Sequence, residues 1–168
     1  ESAGKLGVVL FQFTPWFYPS NESRGYILEA KQALGQLRIA VEFRAGSWLN
    51  EKNLERTVRF LEDSDLPFVA VDEPQGFKSS VPPLTLVSSD LALVRFHGRN
   101  RGNWEKRGIT ATERFRYLYT SEELAEWAPR LAEMSSKAKT LHVLMNNCYA
   151  DYAVKNAQQV QRVLDLAT

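Results

Sequence analysis

The sequence predicts an α/β fold on three observations: five short segments rich in β-branched and aromatic residues, amphipathic helical stretches between most of them, and polar side chains gathered at the C-terminal end of each apolar segment. Parallel strands need a crossover, so strand-helix alternation with short connections points to a parallel sheet covered on both faces. Two architectures satisfy the pattern, an open doubly wound sheet and a closed barrel. No glycine fingerprint follows the first strand, which counts against a dinucleotide-binding open sheet.

The expected strands are Gly7 to Phe13, Arg38 to Phe43, Phe68 to Val71, Leu91 to Phe96 and Thr140 to Met145. After the first strand, Glu22 to Leu37 sets Tyr26, Ile27, Ala30, Ala33, Leu34 and Leu37 on one helical stripe. Asn50 to Asp63 repeats the pattern with Leu54, Val58 and Leu61, and Asn50 is the expected N-cap. Thr120-Ser121-Glu122-Glu123 has the order of a capping box and opens a helix carrying Leu124, Trp127, Leu131 and Met134, with Pro129 as its expected kink. A last helix, Tyr152 to Leu166, buries Ala153, Ala157, Val160 and Leu164 by the same spacing.

Composition narrows the function classes. Of 168 residues, 44% are hydrophobic and 24% charged, which suits one soluble domain with a sizeable core. The 21 Lys and Arg balance 20 Asp and Glu, so a nucleic acid or an anionic lipid would have to find a local patch. No apolar run approaches a membrane span, and Glu1-Ser2-Ala3-Gly4 lacks the regions of an export signal. Cys148 stands alone, which rules out an internal disulfide and suits a reducing cytoplasm. The first strand pattern begins within a few residues of a start that is not Met, so a fragment is expected.

Side chains alternate along a strand, which divides each segment into a helix-facing row and an inward row. In the second strand Ile39, Val41 and Phe43 form the bulky row and leave Ala40, Glu42 and Arg44 inward. The fourth divides into Leu93, Arg95, His97 and Val94, Phe96; the first sets Leu10 and Gln12 against Val9, Phe11 and Phe13. The fifth sets His142, Leu144 and Asn146 against Val143, Met145 and Asn147. In the third, either Asp72 or Glu73 is inward. A closed barrel places its active site at the C-terminal mouth, so Gln12, Glu42, Arg44, Asp72 or Glu73, Arg95, His97, Asn146 and Asn147 are expected to converge there. A structural ion-pair network of Glu42 with Arg44 or Arg95, and of Asp72 with another arginine, is the competing reading. His142, early in its strand, is expected to be structural.

Two long connections interrupt the spacing, Asp72 to Asp90 and His97 to Thr120. His97 to Arg107 combines cations, side-chain amides and glycines around Trp104, a composition able to bind phosphate or carboxylate and equally that of a solvated basic loop. Trp16-Phe17-Tyr18 either walls a pocket or packs beneath its own loop.

Val41-Glu42-Phe43-Arg44 with Ser47-Trp48, Val71-Asp72-Glu73-Pro74-Gln75, Arg95-Phe96-His97-Gly98-Arg99-Asn100, Arg116-Tyr117-Leu118-Tyr119, and Asn146-Asn147 with Ala153-Val154-Lys155-Asn156-Ala157 together resemble the YecE-like family, domain of unknown function 72, from about Leu6 to Leu166. The resemblance implies a TIM-type (β/α) barrel, here a single partial barrel domain over residues 1–168 with about five parallel strands and their crossover helices, the N-terminal strands lying outside this chain. It also implies signature positions at Glu42, Arg44, Trp48, Asp72, Glu73, Arg95, His97, Arg99, Asn100, Tyr119, Asn146 and Asn147. The family carries no agreed reaction. The chain departs from the family at the mouth, with Ala45-Gly46 where His-Pro is common and Cys148 where a histidine often follows the paired asparagines. If those histidines catalyse, this chain is impaired or specialised, and His97 becomes the stronger candidate.

Three functions are therefore weighed. In the first, an enzyme takes a small phosphate- or carboxylate-bearing substrate, with Glu42, Asp72 and His97 as acid and base, and with Gln12, Arg44, Trp48, Glu73, Arg95, Arg99, Asn100, Asn146 and Asn147 binding substrate. In the second, Glu42, Asp72 and His97 hold a divalent metal in a phosphodiesterase or nucleic-acid enzyme; nucleic acid is the less favoured partner, and no HExxH-type motif is present. In the third, a barrel binds ligand without chemistry. No cofactor is evident in the sequence, no membrane partner is expected, and oligomeric state is left open.

Overall fold

The computed structural model describes residues 4–167. Its elements run β1 (Val9–Gln12), α1 (Asn21–Ala33), β2 (Ile39–Glu42), a 3-10 turn (Gly46–Trp48), α2 (Leu54–Asp63), β3 (Val69–Asp72), β4 (Leu91–Phe96), α3 (Ala111–Arg114), α4 (Ser121–Ala125), α5 (Ala128–Lys137), β5 (Thr140–Met145) and α6 (Tyr152–Ala167). The five strands are parallel. β1 pairs with β2, and β3, β4 and β5 form a second ladder in that order. The two are joined by a parallel bridge between Val41 and Phe68, where the Val41 N–H donates to Pro67 O at 2.8 Å. No closed ring of strands is present among the described residues. This is a parallel α/β fold with helices packed on one face of the strands.

That outer face carries the core. Phe43 stacks on Trp48 with centroids 4.2 Å apart, and Phe17 stacks on Phe13 at the same distance, which seals β1 and β2 against α1. Phe96 meets the edges of Tyr119 and Trp127 and anchors α4 and α5 on β4. Leu124, Trp127, Leu131 and Met134 are all buried, as their spacing requires.

Several local expectations shift. α1 ends at Ala33 because Gly35 turns the chain at φ 59°, and both Tyr26 and Ala33 face solvent. Ser20 caps α1 by accepting from Ser23 N. α2 starts at Leu54 behind Asn53, while the Asn50 side chain accepts from Asn53 N in the preceding turn. The run after Thr120 is two helices: the Thr120–Glu123 capping box opens α4, Trp127 is the junction, and Pro129 sits in the first turn of α5, where its missing N–H costs nothing. α6 buries Asn156 and Val160, whereas Ala157 is exposed. His142 is also exposed, on the inner row of β5. Among the described residues no helix is long and apolar enough to cross a membrane.

Candidate functional site

Residues directly opposite in a parallel ladder share a face, so pairing decides which side chains can meet. Gln12 lies opposite Glu42, and Arg95 lies opposite Val71 and Leu144, which puts Gln12, Glu42 and Arg95 on the inner face. Asp72 lies opposite Phe96 on the outer face, so the next residue, Glu73, turns inward.

The inner residues form a closed ring of hydrogen bonds. Glu42 is fully buried; its Oε2 accepts from Arg95 Nη1 at 2.5 Å, and its Oε1 lies 3.0 Å from His97 Nε2. Asn146 completes the circuit: its Oδ1 accepts from Arg95 Nη2 at 2.9 Å, and its Nδ2 lies 2.9 Å from His97 Nδ1. Arg95 Nη1 also donates to Gln12 Oε1 at 2.9 Å. A guanidinium can only donate, so the Arg95 bond identifies the Asn146 oxygen and leaves the Asn146 amide to donate to His97 Nδ1. The imidazole proton therefore sits on Nε2 and is donated to Glu42.

The electrostatics agree with a neutral imidazole. Burial holds His97 below an ordinary histidine, and the Arg44 and Arg95 guanidiniums act in the same direction against Glu42. Burial alone would raise Glu42, but the hydrogen bond and the charge of His97, protonated at the acid pH where Glu42 titrates, together with the charge and hydrogen bond of Arg95, outweigh it and bring the carboxyl to about 2.

Arg44 extends the ring. Its Nη1 stands 3.6 Å from Glu42 Oε1 and its Nη2 3.6 Å from Glu73 Oε2, while the guanidinium lies over the Trp104 ring, 4.9 Å from the centroid. Glu73 Oε1 accepts from Val81 N at 2.8 Å, but its Oε2, Arg44 Nε and Trp104 Nε1 are buried without hydrogen-bond partners. Burial pushes the Glu73 carboxyl up to about 7; Glu42 and Asp72 add to the rise, and Arg44 and the Val81 N–H oppose it. Trp104 and Phe115 cover His97, with ring centroids 6.3 and 5.6 Å from the imidazole. Arg44 and Arg95 are the points of entry, with side chains 11% and 12% exposed beside fully buried carboxylates.

The other candidates are placed elsewhere. Asp72 faces the outer helices and accepts from Tyr119 OH at 2.6 Å, Trp127 Nε1 at 2.8 Å and Arg99 Nη2 at 2.8 Å. Arg99 is held by Asp72 and Glu126 and stands apart from Arg95. Asn100 donates to the carbonyls of Glu113 and Arg116 and braces its loop. Asn147 donates to Tyr117 O and Asn156 Oδ1, on the α6 side of β5. Trp48 lies on the outer face, donating to Phe17 O at 2.6 Å beneath the Arg24 guanidinium. The basic loop does not gather its cations: Arg101 donates to Gln75 O, while Lys106 and Arg107 are exposed. Glu42, Asp72 and His97 do not share a centre either, because Asp72 is on the opposite face. Among the described residues no group of three His, Cys, Asp or Glu side chains is arranged to hold a metal ion.

Trp104 and Phe115, which roof the site, and the Val81 N–H, which holds Glu73, are reached only through tertiary packing. One local signal lay in the sequence unused: Thr110 and Glu113 form a capping box that opens α3 inside the long loop.

Fold and site together define a parallel α/β protein with a buried ionic ring at the C-terminal ends of its strands. The chain belongs to the family described as protein of unknown function DUF72, whose model matches residues 1–168; the YecE-like motifs belong to this same family. It is 36% identical over 168 residues to UPF0759 protein YunF of Bacillus subtilis (strain 168), covering 98% of this chain and 60% of YunF. A crystal structure of a DUF72 family protein from Thermotoga maritima superposes with a TM-score of 0.83 at 34% identity, covering 95% of this chain and 58% of that one. One from Enterococcus faecalis superposes at 0.89 and 32% identity, covering 99% and 62%. The chain thus spans about three fifths of the length of these relatives.

Proposed function

We propose that this chain is part of a TIM-type barrel enzyme of the reducing cytoplasm that binds a small phosphate- or carboxylate-bearing substrate at the C-terminal ends of its strands. Arg95 and Arg44 meet the anion, Glu73 and His97 carry protons, and Glu42 positions Arg95 and His97. Glu73 thereby takes the acid/base role given to Asp72 from the residue types alone, which assigned Glu73 to substrate binding. The barrel reading is supported by curvature: Arg95 on β4 reaches Gln12 on β1, across two intervening strands. Strands in a flat sheet are spaced about 4.8 Å apart, so that reach fits an inner face curved as the strands of a barrel are.

One observation carries the functional reading: the Arg95 and Arg44 guanidiniums flank the single Glu42 carboxylate, at 2.5 and 3.6 Å. Glu73 is pushed to about 7 and His97 is held neutral, so at or below neutral pH the ring has more cation than anion. A low-dielectric pocket with unbalanced positive charge favours an anion, and preorganised guanidiniums match its oxygens. Divalent metal as a cofactor and nucleic acid as a substrate are the alternatives that the same experiment addresses.

That experiment is a thermal-shift screen of the chain and its variants with inorganic phosphate, small carboxylates, divalent cations and oligonucleotides. Phosphate or a carboxylate should stabilise the wild type, and Arg95→Ala should abolish the shift while Lys106→Ala, on an exposed loop, leaves it intact. Equal losses in the two variants overturn the assignment. Stabilisation by metal that Glu42→Gln removes would establish the metal-dependent alternative, and ligand binding without turnover of any bound substrate would establish a binding protein.

A further inference from the structure

We infer that a cleft beside the ionic ring is a subsite for the sugar ring of a phosphorylated or carboxylated carbohydrate. The inference rests on the anion site proposed above and names the class of molecule that site would serve.

The cleft encloses about 380 Å³ and is built by the loops that follow the first four strands: Trp16 and Tyr18 after β1, Ser47 after β2, Lys78 and Ser79 after β3, and Glu105 after β4. The aromatic run alternates. Phe17 turns inward, stacked on Phe13 at 4.2 Å and on Trp48 at 5.8 Å, which leaves its neighbours outward. Trp16 is 71% exposed and Tyr18 55%, and neither ring packs on another aromatic among the described residues. The fold gains little from two large rings left in water, whereas a ligand surface laid on them would bury both.

The polar groups of the cleft select among ligands. Glu105 Oε1 accepts from the Ser79 N–H at 3.1 Å and from its hydroxyl at 2.9 Å, so the carboxylate is held in place, its second oxygen without a hydrogen-bond partner among the described residues. The Ser47 hydroxyl is buried with no hydrogen-bond partner. Lys78 adds three donors. A sugar ring presents an apolar face to aromatic side chains and a rim of hydroxyls that both donate and accept. It therefore satisfies the rings, the carboxylate and the ammonium together. A flat aromatic ligand would cover the rings but leave Glu105 unanswered. A bare anion would meet the Glu105 charge.

The cleft also adjoins the cations. Ala45 lines it and follows Arg44; Glu105 lines it and follows Trp104; and Arg44 lies over Trp104 at 4.9 Å. A ring seated on Trp16 and Tyr18 thus lies against the chain neighbours of the Arg44–Trp104 pair, from which its phosphate or carboxylate would extend to the guanidinium. The loops are tightly set: a Cβ at Gly46 would come within 2.9 Å of Ser80 O, so a glycine lets the β2 loop approach the β3 loop here.

The test is calorimetric titration of the full chain with a panel of hexose and pentose monophosphates, the free sugars, phenyl phosphate and inorganic phosphate. It is repeated with Trp16→Ala, Glu105→Gln and Arg95→Ala, and circular dichroism confirms the fold of each variant. At least one sugar monophosphate should bind about tenfold more tightly than inorganic phosphate, Trp16→Ala should erase that margin, and Glu105→Gln should reduce it severalfold without changing inorganic phosphate. Sugar monophosphates binding no better than inorganic phosphate would overturn the subsite while leaving the anion site intact. Phenyl phosphate equalling the best sugar, with no response to Glu105→Gln, would overturn the carbohydrate assignment. Free sugar bound in a Trp16-dependent way, with no binding of inorganic phosphate, would uphold the ring subsite and sink the anion site.

Discussion

His97 Nε2 lies 3.0 Å from Glu42 Oε1, and the two residues face each other across β4 and β2 as neutral donor and ionised acceptor. The protonation of the pair is set by Asn146, whose own orientation is dictated by Arg95. A histidine so constrained holds its proton on one nitrogen.

Nitrogen-detected NMR should find His97 in the Nε2–H tautomer at neutral pH, titrating below its ordinary value of 6.5. Asn146→Asp replaces the donor at Nδ1 with an acceptor and should raise the imidazole pKa by about 1 or more. An Nδ1–H tautomer in the wild type would refute the hydrogen-bond circuit.

Glu73 makes stability fall as pH rises. Its folded pKa of about 7 is above the unfolded value of 4.5, so between those values the unfolded chain sheds a proton that the native state keeps. The stabilisation is complete below about 4.5 and is lost by the time pH passes 7, amounting to about 1–3 kcal/mol. Urea denaturation across that range should show the decline, and Glu73→Gln should flatten it. Anion binding to the folded protein should weaken as pH rises through about 7, as Glu73 ionises and neutralises Arg44.

Glu42 acts in the opposite sense. Its folded pKa of about 2 is below the unfolded 4.5, so its contribution is present above 4.5 and is lost as pH falls towards 2. Removing the carboxylate by Glu42→Ala leaves Arg95 without its buried counterion and should cost about 3–5 kcal/mol in denaturant unfolding. A loss below about 1 kcal/mol would mean that the guanidinium is satisfied without it.

Asp72 and the ionic ring separate experimentally. Asp72→Ala breaks the hydrogen bonds to Tyr119, Trp127 and Arg99, and should destabilise the fold by about 2–4 kcal/mol. Phosphate binding by the folded fraction should be unchanged, because Asp72 faces away from Arg95. Loss of phosphate binding without loss of stability would return Asp72 to the site.

Gly98 tests the loop over His97. Its φ of 88° disfavours any side chain, and a Cβ there would come within 2.7 Å of Tyr117 Cβ. Gly98→Ala should cost about 2 kcal/mol or more and loosen the Trp104 and Phe115 cover, visible as faster amide exchange between Gly98 and Phe115.

Much of this molecule was legible residue by residue. The alternation of apolar and polar positions located all five strands and assigned Gln12, Glu42, Arg95, His97 and Asn146 to one row, because a strand has a period of two whatever surrounds it. The spacing of Leu124, Trp127, Leu131 and Met134 announced a buried helical stripe, and the Thr120 capping box marked its start, since helix ends must satisfy their own N–H groups locally. β3 lay outside that reach. Val69 to Glu73 is apolar on both rows and ends in two adjacent carboxylates, so its sequence is indifferent to a one-residue slip that exchanges Asp72 for Glu73. Only pairing with β4, which places Asp72 opposite Phe96, chose between them. The same holds for Trp48, Arg99 and Asn100, polar or aromatic residues beyond strand ends, where alternation lapses and the loop packing sets direction; Asn147 keeps the alternation and faces α6, opposite Asn146. What the chain determined alone was which side chains alternate along each strand; which of them meet depended on register and loop packing, because those are contacts between segments far apart in sequence.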